Sequence, residues 1–161
     1  MSARTIFILA IACTMLGSTG CASREPKPVQ TRTWFTASTD ANPDVHGRPS
    51  PIVVRIFELK GDAEFNGADF FSLYEREKET LGGSFIQREE YVLQPGEQKD
   101  LLLPMSREAR YVGAIAAFRD IRAAKWRAIS IAPRKTAGDV FSRDRMTVAV
   151  ERGAIKLTVK D

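Results

Sequence analysis

The chain is 161 residues long with a formal net charge of +4, its 24 lysines and arginines interspersed with 20 acids. That length suits one domain, and the lack of a basic stripe excludes a nucleic-acid footprint. Hydrophobic residues make up 43%, an ordinary supply for a packed core, while one histidine and two cysteines leave little material for a metal site or a disulfide framework.

The N-terminus carries the first signal. Met1–Arg4 is positively charged, Ile6–Leu16 is an almost unbroken apolar run, and Gly17-Ser18-Thr19-Gly20 is small and flexible up to Cys21. A charged start, an apolar stretch of about 7–15 residues and a small-residue exit make a secretory signal. The apolar run falls short of the roughly 20 residues that cross a bilayer. Cys21, directly after the small residues, resembles the acylated cysteine of the bacterial lipobox, with Ser18 standing where leucine is usual. The expectation is a signal peptide over residues 1–20 and a lipid anchor on Cys21. Cys13 leaves with the signal, so the mature chain has no intramolecular disulfide. Ala22 follows the cysteine where an Asp marks retention at the inner membrane, and the resemblance implies transfer to the outer membrane. Residues 21–30, with Pro26 and Pro28, read as a lipidated tether stiffened toward an extended form. A folded domain over residues 31–161 follows, facing the periplasm.

Thr31–Ala37, rich in β-branched and aromatic residues, predicts a first strand. Thr39–Ser50 packs Asp40, Asn42-Pro43-Asp44, Gly47 and Pro49 into a long polar loop. Pro51–Leu59 is the clearest strand, apolar on both faces and therefore buried on both sides. Asn66-Gly67-Ala68-Asp69 reads as a helix start with Asn66 as cap, and Phe70, Leu73 and Tyr74 as a packing stripe ending at Gly82-Gly83. Phe85–Leu93 and Gln98–Leu103 flank Gln94-Pro95-Gly96-Glu97, which suits a type II turn. Tyr111–Phe118 reads as a buried central strand, Arg119–Ala124 interrupts it, and Lys125–Ile131 resumes with alternation. Pro133–Arg145 is a second polar loop, and Met146–Glu151 with Ala154–Val159 close the chain as a hairpin through Arg152-Gly153. Short strands at regular spacing predict a mainly β fold, a two-sheet β-sandwich with one inserted α-helix.

Catalytic chemistry is not expected. His46 sits in the polar loop without a partner histidine or cysteine, so no metal site is predicted. Nucleophile elbow and phosphate-cradling loop are both missing. Glu89 and Glu90 are adjacent on a strand and point to opposite faces, which rules out a cooperating acid pair. Asp139 and Asp144 read as solvated turn formers. Phe118-Arg119-Asp120 with Lys125-Trp126-Arg127 invites a ligand-binding reading, but a hairpin with a core tryptophan and flanking charges accounts for it better. No cofactor and no small-molecule substrate are expected.

The order of Ser50–Leu59, Phe65–Glu75, Leu93-Gln94-Pro95-Gly96 and Ala117-Phe118-Arg119-Asp120 with Trp126-Arg127, behind a lipobox, is similar to the TssJ family. These are outer-membrane lipoproteins of the bacterial type VI secretion system, and the similarity spans nearly all of the mature chain. The resemblance implies a transthyretin-like sandwich with an added helix, no enzyme activity, and attachment to the outer membrane by N-terminal acyl chains such as palmitate. It also implies binding to the periplasmic C-terminal region of TssM, itself joined to TssL. The family's partner contact is the loop between the first two strands, which places it here on Asn42, Pro43, Asp44, Val45, His46, Gly47 and Arg48. Twelve residues between adjacent strands far exceed the usual hairpin loop of about 2–5. Two rivals stand beside this reading. A transthyretin-related hydrolase would need more histidines and a Tyr-Arg-Gly-Ser tail, neither of which the chain has. A periplasmic lipoprotein binding sugar, peptide or peptidoglycan through exposed aromatics is the alternative.

Overall fold

Val29–Ala37, rich in β-branched and aromatic residues, forms strand β1, with its odd-numbered residues buried and Arg32 and Trp34 exposed. The computed structural model describes residues 27–134 and 140–160. The signal peptide, Cys21, the tether through Pro26, and Asp139 lie outside the described residues. β1 begins at Val29, so the last two residues assigned to the tether belong to the first strand.

The remaining elements follow in chain order. Strand β2 is Ile52–Leu59; three short helices are α1 Ala63–Gly67, α2 Phe70–Glu75 and α3 Glu77–Leu81; then come β3 Phe85–Leu93, β4 Gln98–Met105, β5 Tyr111–Ala116, β6 Arg127–Ile131, β7 Arg145–Val150 and β8 Ile155–Lys160. Two four-stranded sheets result, ordered β4-β1-β7-β8 and β3-β2-β5-β6. β1 pairs antiparallel with β4 and parallel with β7, setting Thr33 beside Met146 and Ala37 beside Val150. The sandwich core lies between the sheets and includes Phe35, Val54, Ile56, Leu93, Met105, Val112, Met146 and Val148.

β2 is buried on both sides, as its composition predicts. Its second face, Phe57 and Leu59, packs with Phe65, Phe70, Leu73 and Leu81 of the helices in a separate cluster. The single inserted helix of the sequence reading is corrected to three. Ala68 is extended (φ −79°, ψ 151°) and Arg76 departs from helical geometry (φ −136°, ψ 41°), so each interrupts the ladder. Asn66 is not the cap either. It lies inside α1, and Asp69 caps α2, its carboxylate accepting from the Ser72 amide at 3.0 Å and from Ser72 Oγ at 2.6 Å. The Pro95-Gly96 turn is as expected: Gly96 has φ +79° and the Glu97 amide donates to the Gln94 carbonyl at 3.0 Å.

Candidate functional site

The loop between β1 and β2 is tied at its neck and again at its tip. At the neck, the Ser50 amide donates to the Ala41 carbonyl (3.1 Å) and the Asn42 amide to the Arg152 carbonyl (3.1 Å). Asn42 adopts a left-handed backbone (φ +49°), a region that asparagine tolerates better than most residues. The residue is only 3% exposed. Nδ2 donates to the Pro51 carbonyl at 2.8 Å, and Oδ1 accepts from the Arg119 amide at 2.8 Å. One buried amide thus joins the β1–β2 loop to the β5–β6 connection and, through its backbone, to the C-terminal hairpin. A contact residue by the sequence reading, Asn42 is in the structure a bracket that holds the contact segment in place.

At the tip, Asp44 organises the next four residues. Its Oδ1 accepts from the amides of His46 (2.8 Å) and Arg48 (2.9 Å), and Oδ2 pairs with Arg48 Nε at 2.7 Å. The backbone closes on itself through Asp44 amide to Arg48 carbonyl (2.9 Å) and Gly47 amide to Asp44 carbonyl (2.9 Å). Gly47 supplies the left-handed φ of +78° that this closure needs. The Arg48 amide above all, then the Arg48 side chain, the His46 amide and nearby Arg119, hold the Asp44 carboxyl below its ordinary range. The segment is therefore shaped before anything binds it. Val45 stands at its apex, 95% exposed.

Opposite this tip runs a second wall that sequence reasoning missed. An open groove of about 1090 Å³ lies between Pro43–His46 with Arg48 on one side and Phe71 with Arg119–Arg122 on the other. Phe71, from α2, is 58% exposed. The turn at 119–124 is braced by Asp120, whose Oδ1 accepts from the Ala123 amide (3.2 Å) and whose carbonyl accepts from the Ala124 amide (3.1 Å). Behind Pro43 a smaller hollow of about 250 Å³ is lined by Phe118, Ala123, Ala124 and Gly153 among others. Trp126 turns inward, as the hairpin reading expects, but Arg127, read there as a flanking charge, turns inward with it. Trp126 meets Phe70 edge-on at 5.4 Å, and Arg127 lies over the Trp126 ring while its Nη1 donates to the carbonyls of Phe65 (2.8 Å) and Ala68 (2.9 Å). The constellation divides: Arg119-Asp120 faces the groove, and Trp126-Arg127 stitches the helices to the sheet. The available signal was a charged ten-residue link where a hairpin would have sufficed.

The buried carboxylates are engaged elsewhere. Glu58 accepts from Gln87 Nε2 (2.6 Å) and the Ser106 amide (2.7 Å), and Asp144 from the Arg134 amide (2.7 Å) and Nη2 (2.9 Å). Asp144 is 4% exposed, so it is not the solvated loop acid the sequence suggested. Glu90 pairs with Arg55 at 2.7 Å, while Glu89, its neighbour in the strand, lies opposite Ile56. Among the described residues no group of three metal-ligating side chains is close enough to hold an ion, and no helix is long and apolar enough to cross a membrane.

Residues 29–153 match the family described as type VI secretion lipoprotein, VasD, EvfM, TssJ. The fold is similar to the type VI secretion lipoprotein TssJ1 from Pseudomonas aeruginosa, with a TM-score of 0.74 and 28% identity over 83% of this chain and 98% of that one. It is similar also to Serratia marcescens Lip, a membrane-bound component of the type VI secretion system, with a TM-score of 0.72 and 27% identity over 81% of this chain and 98% of that one. A chain in the structure of the TssM C-terminal domain from EAEC shares the fold at a TM-score of 0.61 and 23% identity, over 84% of this chain and 99% of that one. No curated protein matches the sequence.

Proposed function

The chain belongs to the type VI secretion lipoprotein family that includes TssJ, and from that premise we propose that it anchors the secretion complex at the periplasmic face of the outer membrane. Cys21 carries the acyl chains, and the loop end of the sandwich docks the periplasmic C-terminal region of TssM, in complex with TssL. Two or more acyl chains give stable attachment where one is marginal. The observation that carries the docking role is the Pro43–Arg48 tip, ordered by Asp44 and facing a groove with Val45 and Phe71 exposed. A preformed tip saves the ordering cost that a slack loop would incur on binding. The contact set of the sequence reading narrows to Pro43, Asp44, Val45, His46, Gly47 and Arg48 and gains Phe71, Arg119 and Arg122. The role is binding without turnover, a reading supported by the family's place as a secretion lipoprotein.

Titration calorimetry with a TssM periplasmic fragment tests it. Val45→Asp and Arg119→Glu should each weaken binding at least about tenfold, or ~1.4 kcal/mol, with unchanged melting temperature. Wild-type affinity in both folded variants removes this end from the interface. Labelling with a clickable fatty acid tests the anchor: incorporation should vanish in Cys21→Ser, and label that persists places the anchor elsewhere.

A further inference from the structure

The outer face of the first sheet, at the end where the tether enters, carries an arrangement that the docking loop does not use. Arg145 on β7 and Lys160 on β8 stand directly opposite each other in the antiparallel register. Like charges so placed oppose strand pairing, and among the described residues neither forms an ion pair. Beside them on β1 lie Arg32, held by Asp100 at 2.5 Å, and Trp34, 42% exposed and level with Thr147 of β7. Arg32, Trp34, Arg145 and Lys160 together line an open groove of about 340 Å³. Leu102, 54% exposed, pairs with Arg32 across β4 and extends the apolar surface.

We infer that this face lies on an anionic phospholipid surface. Resting on the reading of Cys21 as the lipid anchor, the assignment follows from reach and chemistry. Val29 lies eight residues after Cys21, and a fully extended chain of eight steps spans at most about 29 Å. The Arg32–Lys160 end of the sheet therefore cannot be far from the bilayer that holds the acyl chains. Cations meet lipid phosphates there, and an exposed tryptophan between them suits the headgroup layer, where its ring is half in apolar and half in polar surroundings. A soluble anion would satisfy the cations but would leave Trp34 and Leu102 uncovered. The like-charge pair Arg145–Lys160, unfavourable in water, becomes a phosphate clamp at the surface.

The test reconstitutes the acylated protein into vesicles of phosphatidylcholine, with or without phosphatidylglycerol, and adds lipid spin-labelled at the headgroup. Flotation reads the anchor, and the quenching difference between wild type and Trp34→Phe reads docking. Trp34 should be quenched in anionic vesicles only, and the double variant R145Q/K160Q should float yet lose that quenching. The unacylated Cys21→Ser chain should bind anionic vesicles in a salt-sensitive way. At about fivefold per surface cation, R145Q/K160Q in that chain should cost roughly 25-fold in affinity. Protein that floats with Trp34 unquenched overturns the docking and leaves the anchor standing. Protein that fails to float overturns the anchor instead, and the docking is then decided by whether the Cys21→Ser chain shows the charge-dependent affinity.

Discussion

Replacing Asn42 probes the bracket on which the loop end depends. Asn42→Ala removes the donor to the Pro51 carbonyl and the acceptor of the Arg119 amide, both at 2.8 Å and both within the protein. Each partner left without a hydrogen bond costs about 1–2 kcal/mol. Alanine must also hold the left-handed φ of +49°, a further cost of about 1 kcal/mol. The sum predicts a loss of about 3–5 kcal/mol for Asn42→Ala and, because glycine adopts that backbone freely, about 2–4 kcal/mol for Asn42→Gly. Asn42→Asp should fall below glycine at neutral pH: it keeps the acceptor for Arg119 but buries a carboxylate with an oxygen against the Pro51 carbonyl. Urea denaturation at constant slope measures all three. TssM-fragment affinity should fall in the same order, since a released neck must be ordered again on binding. Equal stabilities of the alanine and glycine variants would refute the backbone argument. Values within about 0.5 kcal/mol of wild type, the scatter of ordinary surface changes, would refute the bracket itself.

Three further outcomes follow from single contacts. A Cβ on Gly113 would lie 2.6 Å from Phe65 Cζ and under 3.0 Å from two more ring atoms. Gly113→Ala should therefore cost about 1–3 kcal/mol, with less than additive loss in a Phe65→Leu background by a double-mutant cycle. The Asp44 carboxyl is held below its ordinary value of 3.8, chiefly by the Arg48 amide. A depressed acid stabilises above its unfolded value and loses that contribution as pH falls through the folded one. The amide resonances of His46 and Arg48 should accordingly hold steady from neutral pH down past 3.8 and titrate below it; a midpoint at or above that value contradicts the geometry. Arg127→Lys, which cannot serve the carbonyls of Phe65 and Ala68 from one planar group while lying over Trp126, should cost about 1–2 kcal/mol and shift the tryptophan emission difference between wild type and Trp126→Phe.

The strands were legible because their signals are local. The β-branched and aromatic content of β1, the two apolar faces of β2 and the Pro-Gly turn before β4 each follow from a few neighbouring residues, and the structure places them within two residues of expectation. The helices were only half legible. Phe70 and Leu73 are buried at helical spacing as read, but the breaks fall at Ala68 and Arg76, neither a glycine nor a proline, and Asp69 outcompeted Asn66 as cap because Ser72 stood three residues on. Asn42 ran against a local rule. A residue before proline is normally pushed to extended backbone, yet here three tertiary hydrogen bonds hold it left-handed. The groove was invisible for a plainer reason: Arg119 and Asp44 are far apart in sequence, and nothing periodic connects them.

One pairing built both ends of the molecule. β7 runs parallel to β1, so the hairpin it forms with β8 points its turn the same way as the loop after β1. Arg152, in that turn, thereby reaches the neck and accepts the Asn42 amide, while the hairpin's open end brings Arg145 and Lys160 to the tether side beside Arg32. Had β7 paired antiparallel, turn and open end would exchange places, and the loop neck would lose its third tie while the cations moved away from the chain's entry. β1 itself, nine residues long, spans about 30 Å at the usual rise. That is the distance between the end of the proposed membrane attachment and the end that the proposed partner meets, and a strand paired on both edges inside its sheet keeps it fixed.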